Sequence, residues 1–122
     1  MPATEPVELH TLFEAAINGK DADALMALYE PDGVAKHLDG TSRTGESALR
    51  AMVDDLLRTI EHIEGETRKV LVAGDVALMS ASWRARVNTP DGEGQAAGTT
   101  AEVARRQPDG TWRWAIDDPL FV

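Results

Sequence analysis

The stretch "VALMSASWRARVNTPDGEGQAAGTTAEVARRQPDGTWRWAID", Val76 to Asp117, decides the fold. It alternates strand-forming runs with "TPDGEG" and "PDG", and Pro, Asp and Gly together supply the fixed and positive φ values of tight turns. Strands separated only by tight turns pair antiparallel. With Thr67 to Ala73 and the Gly74-Asp75 turn ahead of it, the stretch predicts a meander of Thr67 to Ala73, Val76 to Asn88, Gln95 to Arg106 and Trp112 to Asp117. Strand parity puts Met79, Ala81, Trp83 and Ala85 on one face, and Trp112, Trp114 and Ile116 on one face of the last strand. Arg84 and Arg86 alternate with small apolar residues, as on a solvated sheet face.

Such a sheet needs a cover, and the first half supplies it. Leu9, Leu12, Phe13, Ala16 and Ile17 recur at helical spacing between Val7 and Ile17, and Gly19 ends that helix. Asp21 caps a second helix carrying Leu25, Leu28 and Tyr29, which Pro31-Asp32-Gly33 is expected to stop. Val34 to Leu38 reads as a short strand that turns at Asp39-Gly40. Leu49, Met52, Val53, Leu56, Leu57 and Ile60 then match a third helix without a gap. Helices segregated before strands predict an α+β architecture, three N-terminal helices packed on a curved, mainly antiparallel β-sheet. One sheet face is expected to meet the helices and the other a second copy of the chain, giving a homodimer.

A length of 122 residues fits a single domain, 1–122, and 43% hydrophobic with 27% charged residues is ordinary globular usage. There is no cysteine, which excludes disulfides, thiolate metal ligands and thiol nucleophiles. Lysine and arginine number 12 against 21 acidic residues, a formal charge of −9 that repels nucleic acid and anionic lipid. No nucleic-acid or membrane partner is therefore expected. The acidic start "MPATEPVELH" has no apolar signal core, so the expected location is the cytoplasm. "EHIEGE", Glu61 to Glu66, fits no metal-ligand spacing and reads as an exposed charged turn ending the third helix; no metal and no cofactor are expected. Ser42, Ser47, Ser80 and Ser82 lack a nucleophile elbow, and no glycine-rich phosphate loop is present.

Two segments carry a family resemblance: "INGKDADALMALYEPDGV", Ile17 to Val34, and "PDGTWRWAIDDP", Pro108 to Pro119, with Gly45 opening the third helix between them. With the order of elements, they resemble the NTF2-like superfamily, specifically its SnoaL-like and ketosteroid-isomerase-like proteins. The resemblance implies a cystatin-like cone around a hydrophobic pocket. In the steroid isomerase branch a tyrosine on the first helix and a protonated carboxylic acid on a late strand donate to the substrate oxygen, while an aspartate on the first strand moves the proton. Carried over, the tyrosine position falls on Phe13, which has no hydroxyl, the base position on His37, and the acidic donor on Glu102.

Strand parity groups His37 with Ala35 and Asp39, and Glu102 with Thr100 and Ala104; the faces are mixed, so both directions stay open. A buried Glu102 needs a donor such as His37 or the Trp83 indole N–H. Phe13, Tyr29, Met52, Leu56, Met79 and Trp83 are expected around the pocket, with Asp117 as a polar wall group at its mouth or as an anchor of the strand end. Asp117 and Asp118 point to opposite faces and cannot act on one bond together. The expected function is binding of a small, largely apolar molecule, with metal-free acid-base isomerisation or enolisation next to a carbonyl through His37 and Glu102. The alternative is a non-catalytic binding or accessory dimerisation protein.

Overall fold

A computed structural model describes residues 2–122. Helix α1, Glu8–Asn18, buries Leu9, Ala16 and Ile17, the stripe read from the sequence. Helix α2, Ala22–Met26, is capped by Asp21, whose side chain accepts from the Ala24 N–H. It is shorter than expected: Tyr29 opens strand β1, Tyr29–Lys36, and Pro31-Asp32-Gly33 lies inside that strand. Tyr29 pairs with Trp114 and Val34 with Ile116, so Pro31-Asp32-Gly33 is accommodated as an irregularity rather than as a helix stop. Burial of the Tyr29 ring outweighs local helix preference.

Strand β2, Ser42–Thr44, pairs antiparallel with β1, and helix α3, Glu46–Thr59, buries Leu49, Met52, Val53 and Leu56. Strand β3, Ile60–Ala73, follows α3 without a break. The expected charged turn at Glu61 to Glu66 is therefore strand: His62 and Glu64 stand opposite Arg86 and Arg84 of strand β4, Val76–Thr89, and the opposite charges of Glu64 and Arg84 facing across the ladder favour pairing. The expected strand from Gln95 to Arg106 breaks at Thr100 into β5, Gly92–Thr99, and β6, Ala101–Arg106. Both halves lie against β4. At the break the Thr100 hydroxyl takes the Ala81 N–H in place of a ladder carbonyl.

Strand β7, Trp112–Asp118, pairs antiparallel with β6 and parallel with β1. The order β2-β1-β7-β6-β4-β3 is thus a mixed, mostly antiparallel sheet rather than a pure meander. Three helices on this sheet make the expected α+β cone. One irregularity matters for function. The register shifts between the Trp114 and Ile116 pairs, leaving Ala115 as an extra residue in β7. Trp112, Trp114 and Asp117 are buried while Ile116 is 50% exposed, so the expected grouping of Ile116 with the tryptophans is corrected. The bulge turns a carboxylate inward. No helix among the described residues is long and apolar enough to cross a membrane.

A carboxylate pair in a candidate ligand cavity

A cavity of about 170 Å³ lies between the helices and the inner sheet face. α1 contributes His10 and Phe13, α3 contributes Met52 and Leu56, and the sheet contributes Tyr29, Trp83, Glu102, Trp114 and Asp117. Trp114 is the hub of its aromatic wall: the rings of His10, Phe13 and Tyr29 have centroids 5.8, 5.7 and 5.6 Å from it, in tilted or edge contacts.

Two carboxyl groups share the sheet wall. Glu102 and Asp117 are directly opposite one another on β6 and β7, so their side chains project on the same face. Glu102 Oε1 accepts from His10 Nε2 at 2.8 Å and from the Thr100 hydroxyl at 2.8 Å. Two donors converging on one oxygen suit an ionised carboxylate. His10 Nδ1 lies 2.7 Å from the Thr67 hydroxyl, so both ring nitrogens are occupied. His10 consequently positions Glu102 rather than meeting a ligand with a free nitrogen. Asp117 Oδ2 accepts from the Tyr29 hydroxyl at 2.7 Å. Burial, and then the negative charge of Glu102, push the Asp117 carboxyl up to about 7 against the lowering effect of the Tyr29 bond. Burial and the Asp117 carboxyl hold the Tyr29 hydroxyl well above its ordinary range, so Tyr29 remains a donor.

Each carboxyl keeps one oxygen, Glu102 Oε2 and Asp117 Oδ1, without a hydrogen-bond partner among the described residues. The one side-chain nitrogen or oxygen there that is both sealed and unpartnered is Trp114 Nε1, so these two oxygens open onto space. An ionised base and a protonated acid side by side can remove a proton at one atom and hydrogen-bond to a neighbouring one.

A model of the SnoaL-like domain matches residues 9–118. The chain belongs to the SnoaL-like domain family. Among solved structures this SnoaL-like protein is similar to a conserved protein from Planctomyces limnophilus, with a TM-score of 0.80 at 17% identity over 93% of this chain and 91% of that one. A function-unknown protein from Mycobacterium tuberculosis gives 0.73 at 26% identity, over 92% and 70% of the two chains. A ketosteroid isomerase-like protein from Erwinia carotovora atroseptica gives 0.76 at 18% identity, over 92% and 89%. No curated protein matches the sequence. The SnoaL-like resemblance therefore holds, and the cone is the fold of solved structures described as NTF2-like and cystatin-like, while the residues of the site rest on geometry.

Of the residues expected around the pocket, Phe13, Tyr29, Met52, Leu56, Trp83, Glu102 and Asp117 line the cavity in this SnoaL-like domain, and Met79 and His37 do not. Met79 is buried within the core opposite Glu102. His37 is also buried, on the parity shared with Ala35, but it lies beyond the end of β1. There its Nε2 meets Asp55 Oδ2 of α3 at 2.5 Å. Asp55 precedes Leu56, and one residue rotates a helix by about 100°, which takes this contact off the cavity-facing stripe. The structure does not bring His37 to Glu102; His10 occupies that place. The missed signal was His10 at three and seven residues before Phe13 and Ile17, on the same helix face. The Trp83 indole N–H, considered as a donor to Glu102, instead donates to the Pro119 carbonyl at 2.7 Å.

Proposed function

We infer that the cavity binds a small, largely apolar carbonyl compound and moves a proton at the carbon next to the carbonyl. The observation that supports this reading is the Glu102 and Asp117 pair, each with one free oxygen. Glu102 Oε2 takes the proton, the C–H electron pair becomes the C=C bond of an enolate, and the carbonyl π pair moves onto oxygen as its negative charge. Asp117, protonated on Oδ1, donates a hydrogen bond to that oxygen, and Tyr29 supports it through Oδ2. Return of the proton to the same or a conjugated carbon gives exchange or isomerisation. The donor that Phe13 cannot supply thus comes from Asp117, braced by Tyr29, and the base role anticipated for His37 passes to Glu102.

The test needs no knowledge of the natural substrate. 2-Tetralone and 3-cyclohexen-1-one incubated with the protein in D2O should lose their α-proton NMR signals faster than in buffer, and His37→Gln should leave that rate unchanged. Binding of 2-tetralone without accelerated exchange would select the non-catalytic binder. Loss of exchange in His37→Gln would return the base role to the imidazole.

The outer sheet face supports a homodimer. Leu71, Leu78, Val103, Ile116 and Val34 stand in register across β3, β4, β6, β7 and β1, an apolar row from one edge of the sheet toward the other. All but Val103 are exposed. Two such rows can bury one another about a two-fold axis. Ile116→Asp should convert a dimer to a monomer in sedimentation equilibrium with circular dichroism unchanged; a wild-type monomer at micromolar concentration contradicts this assignment.

A further inference from the structure

We propose that residues 119–122 form a strap that makes the far wall of the cavity and limits the length of ligand it accepts, latched by the Trp83 indole. This inference rests on the reading of the cavity as a ligand site and adds which ligands fit it. Pro119 and Trp83 both line the cavity, and the bond from Trp83 Nε1 to the Pro119 carbonyl joins the strap to β4. Beneath it, β5 presents Gly98. A Cβ there would lie 2.6 Å from Leu120 Cδ2, 2.9 Å from the Pro119 carbonyl oxygen and 3.1 Å from Trp83 Nε1. The absence of a side chain at Gly98 therefore makes the notch in which strap and latch sit.

Beyond the latch, the Leu120 N–H donates to the Asp118 carboxylate, and Phe121 and Val122 are held at Thr99 alone. Phe121 and Val122 donate their N–H groups to the Thr99 carbonyl, and Thr99 donates to the Val122 carbonyl. The outer face is open, with Phe121 62% exposed, so little buried area holds it down. Its position relative to the carboxyl pair gives the length limit. Pro119 is two residues beyond Asp117, about 7 Å along an extended chain at about 3.3 Å per residue. A ligand whose polar head meets Glu102 and Asp117 can extend its apolar end toward Trp83 until it reaches Pro119.

Phenol and its para-ethyl, para-butyl and para-hexyl derivatives measure this length: the hydroxyl addresses the carboxyl pair and the chain addresses the strap. By isothermal titration, wild-type affinity should rise by about fourfold per buried methylene through the short members, then fall for the chain that meets the strap. Trp83→Phe removes the latch donor and keeps a ring, while Gly98→Ala fills the notch; in both, para-hexylphenol should bind at least about tenfold tighter than to wild type, and in Gly98→Ala, which lies outside the cavity lining, phenol binding should be unchanged. Faster amide exchange at Phe121 and Val122 in Trp83→Phe should accompany the change. The same length limit in all three proteins overturns the strap. Failure of phenol and para-ethylphenol to bind the wild type overturns the cavity reading itself, so the two failures are distinguishable.

Discussion

Glu102→Gln should slow α-deuterium exchange in 2-tetralone by roughly 10²- to 10⁴-fold, the contribution of a positioned general base. The substitution keeps the volume of the side chain and an Oε1 acceptor for His10 Nε2 and the Thr100 hydroxyl, so the surrounding hydrogen bonds survive. What disappears is the free oxygen, replaced by an amide NH2 that cannot take a proton. His10 cannot substitute, because its two nitrogens are engaged by Glu102 and Thr67. Circular dichroism and thermal melting of the variant separate loss of the base from loss of the fold. Exchange at the wild-type rate in a folded Glu102→Gln protein contradicts the assignment.

Asp117→Asn is expected to act on stability and on the pH profile together. The Asp117 carboxyl has an ordinary value of 3.8 when unfolded and about 7 when folded. Between these values the folded state binds the extra proton, so stability falls as pH rises from about 4 to about 7 and is level above that. The full difference is about 4 kcal/mol. Asparagine stays neutral and still offers an acceptor to Tyr29 and a donor to the cavity. The variant should match wild type near pH 4 and exceed its Tm by on the order of 10 °C at pH 8. In the exchange assay, wild-type activity should decline above about pH 7 as Asp117 loses its proton, and Asp117→Asn should lose that decline. Parallel melting curves for the two proteins from pH 4 to 8 would show that Asp117 ionises as an ordinary surface carboxylate.

How far the site was legible in the sequence depends on backbone regularity. α1 and α3 followed their apolar stripes, and the inward set Met79, Ala81, Trp83 and Ala85 followed parity, because nothing interrupts the helical or strand period there. Legibility failed at each irregularity. Ala115 inserts one residue into β7 and exchanges the faces of Ile116 and Asp117, an effect that neither residue announces. Thr100 splits an expected single strand while supplying a donor to Glu102. Pro31-Asp32-Gly33 has the composition of a helix stop, yet the pairing of Tyr29 with Trp114 draws it into a strand. The histidines show a different limit. Family position pointed to His37 while parity left its direction open, and it is indeed buried, but its partner is fixed by the helix that packs against it. The Glu102 and Asp117 pairing requires the register of the hairpin across the Pro108-Asp109-Gly110 turn, where Gly110 takes a positive φ of 86°.

The central claim is that two cross-strand carboxyl groups hold a single proton near neutrality, with Glu102 ionised and Asp117 protonated. It is tested most directly by following the side-chain carboxyl 13C resonance of Asp117 against pH in the wild type and in Glu102→Gln. The account predicts a wild-type midpoint near 7 that moves downward when the Glu102 charge is removed. A midpoint near 4 in both proteins would contradict it, leaving the cavity without the acid that the proposed chemistry requires.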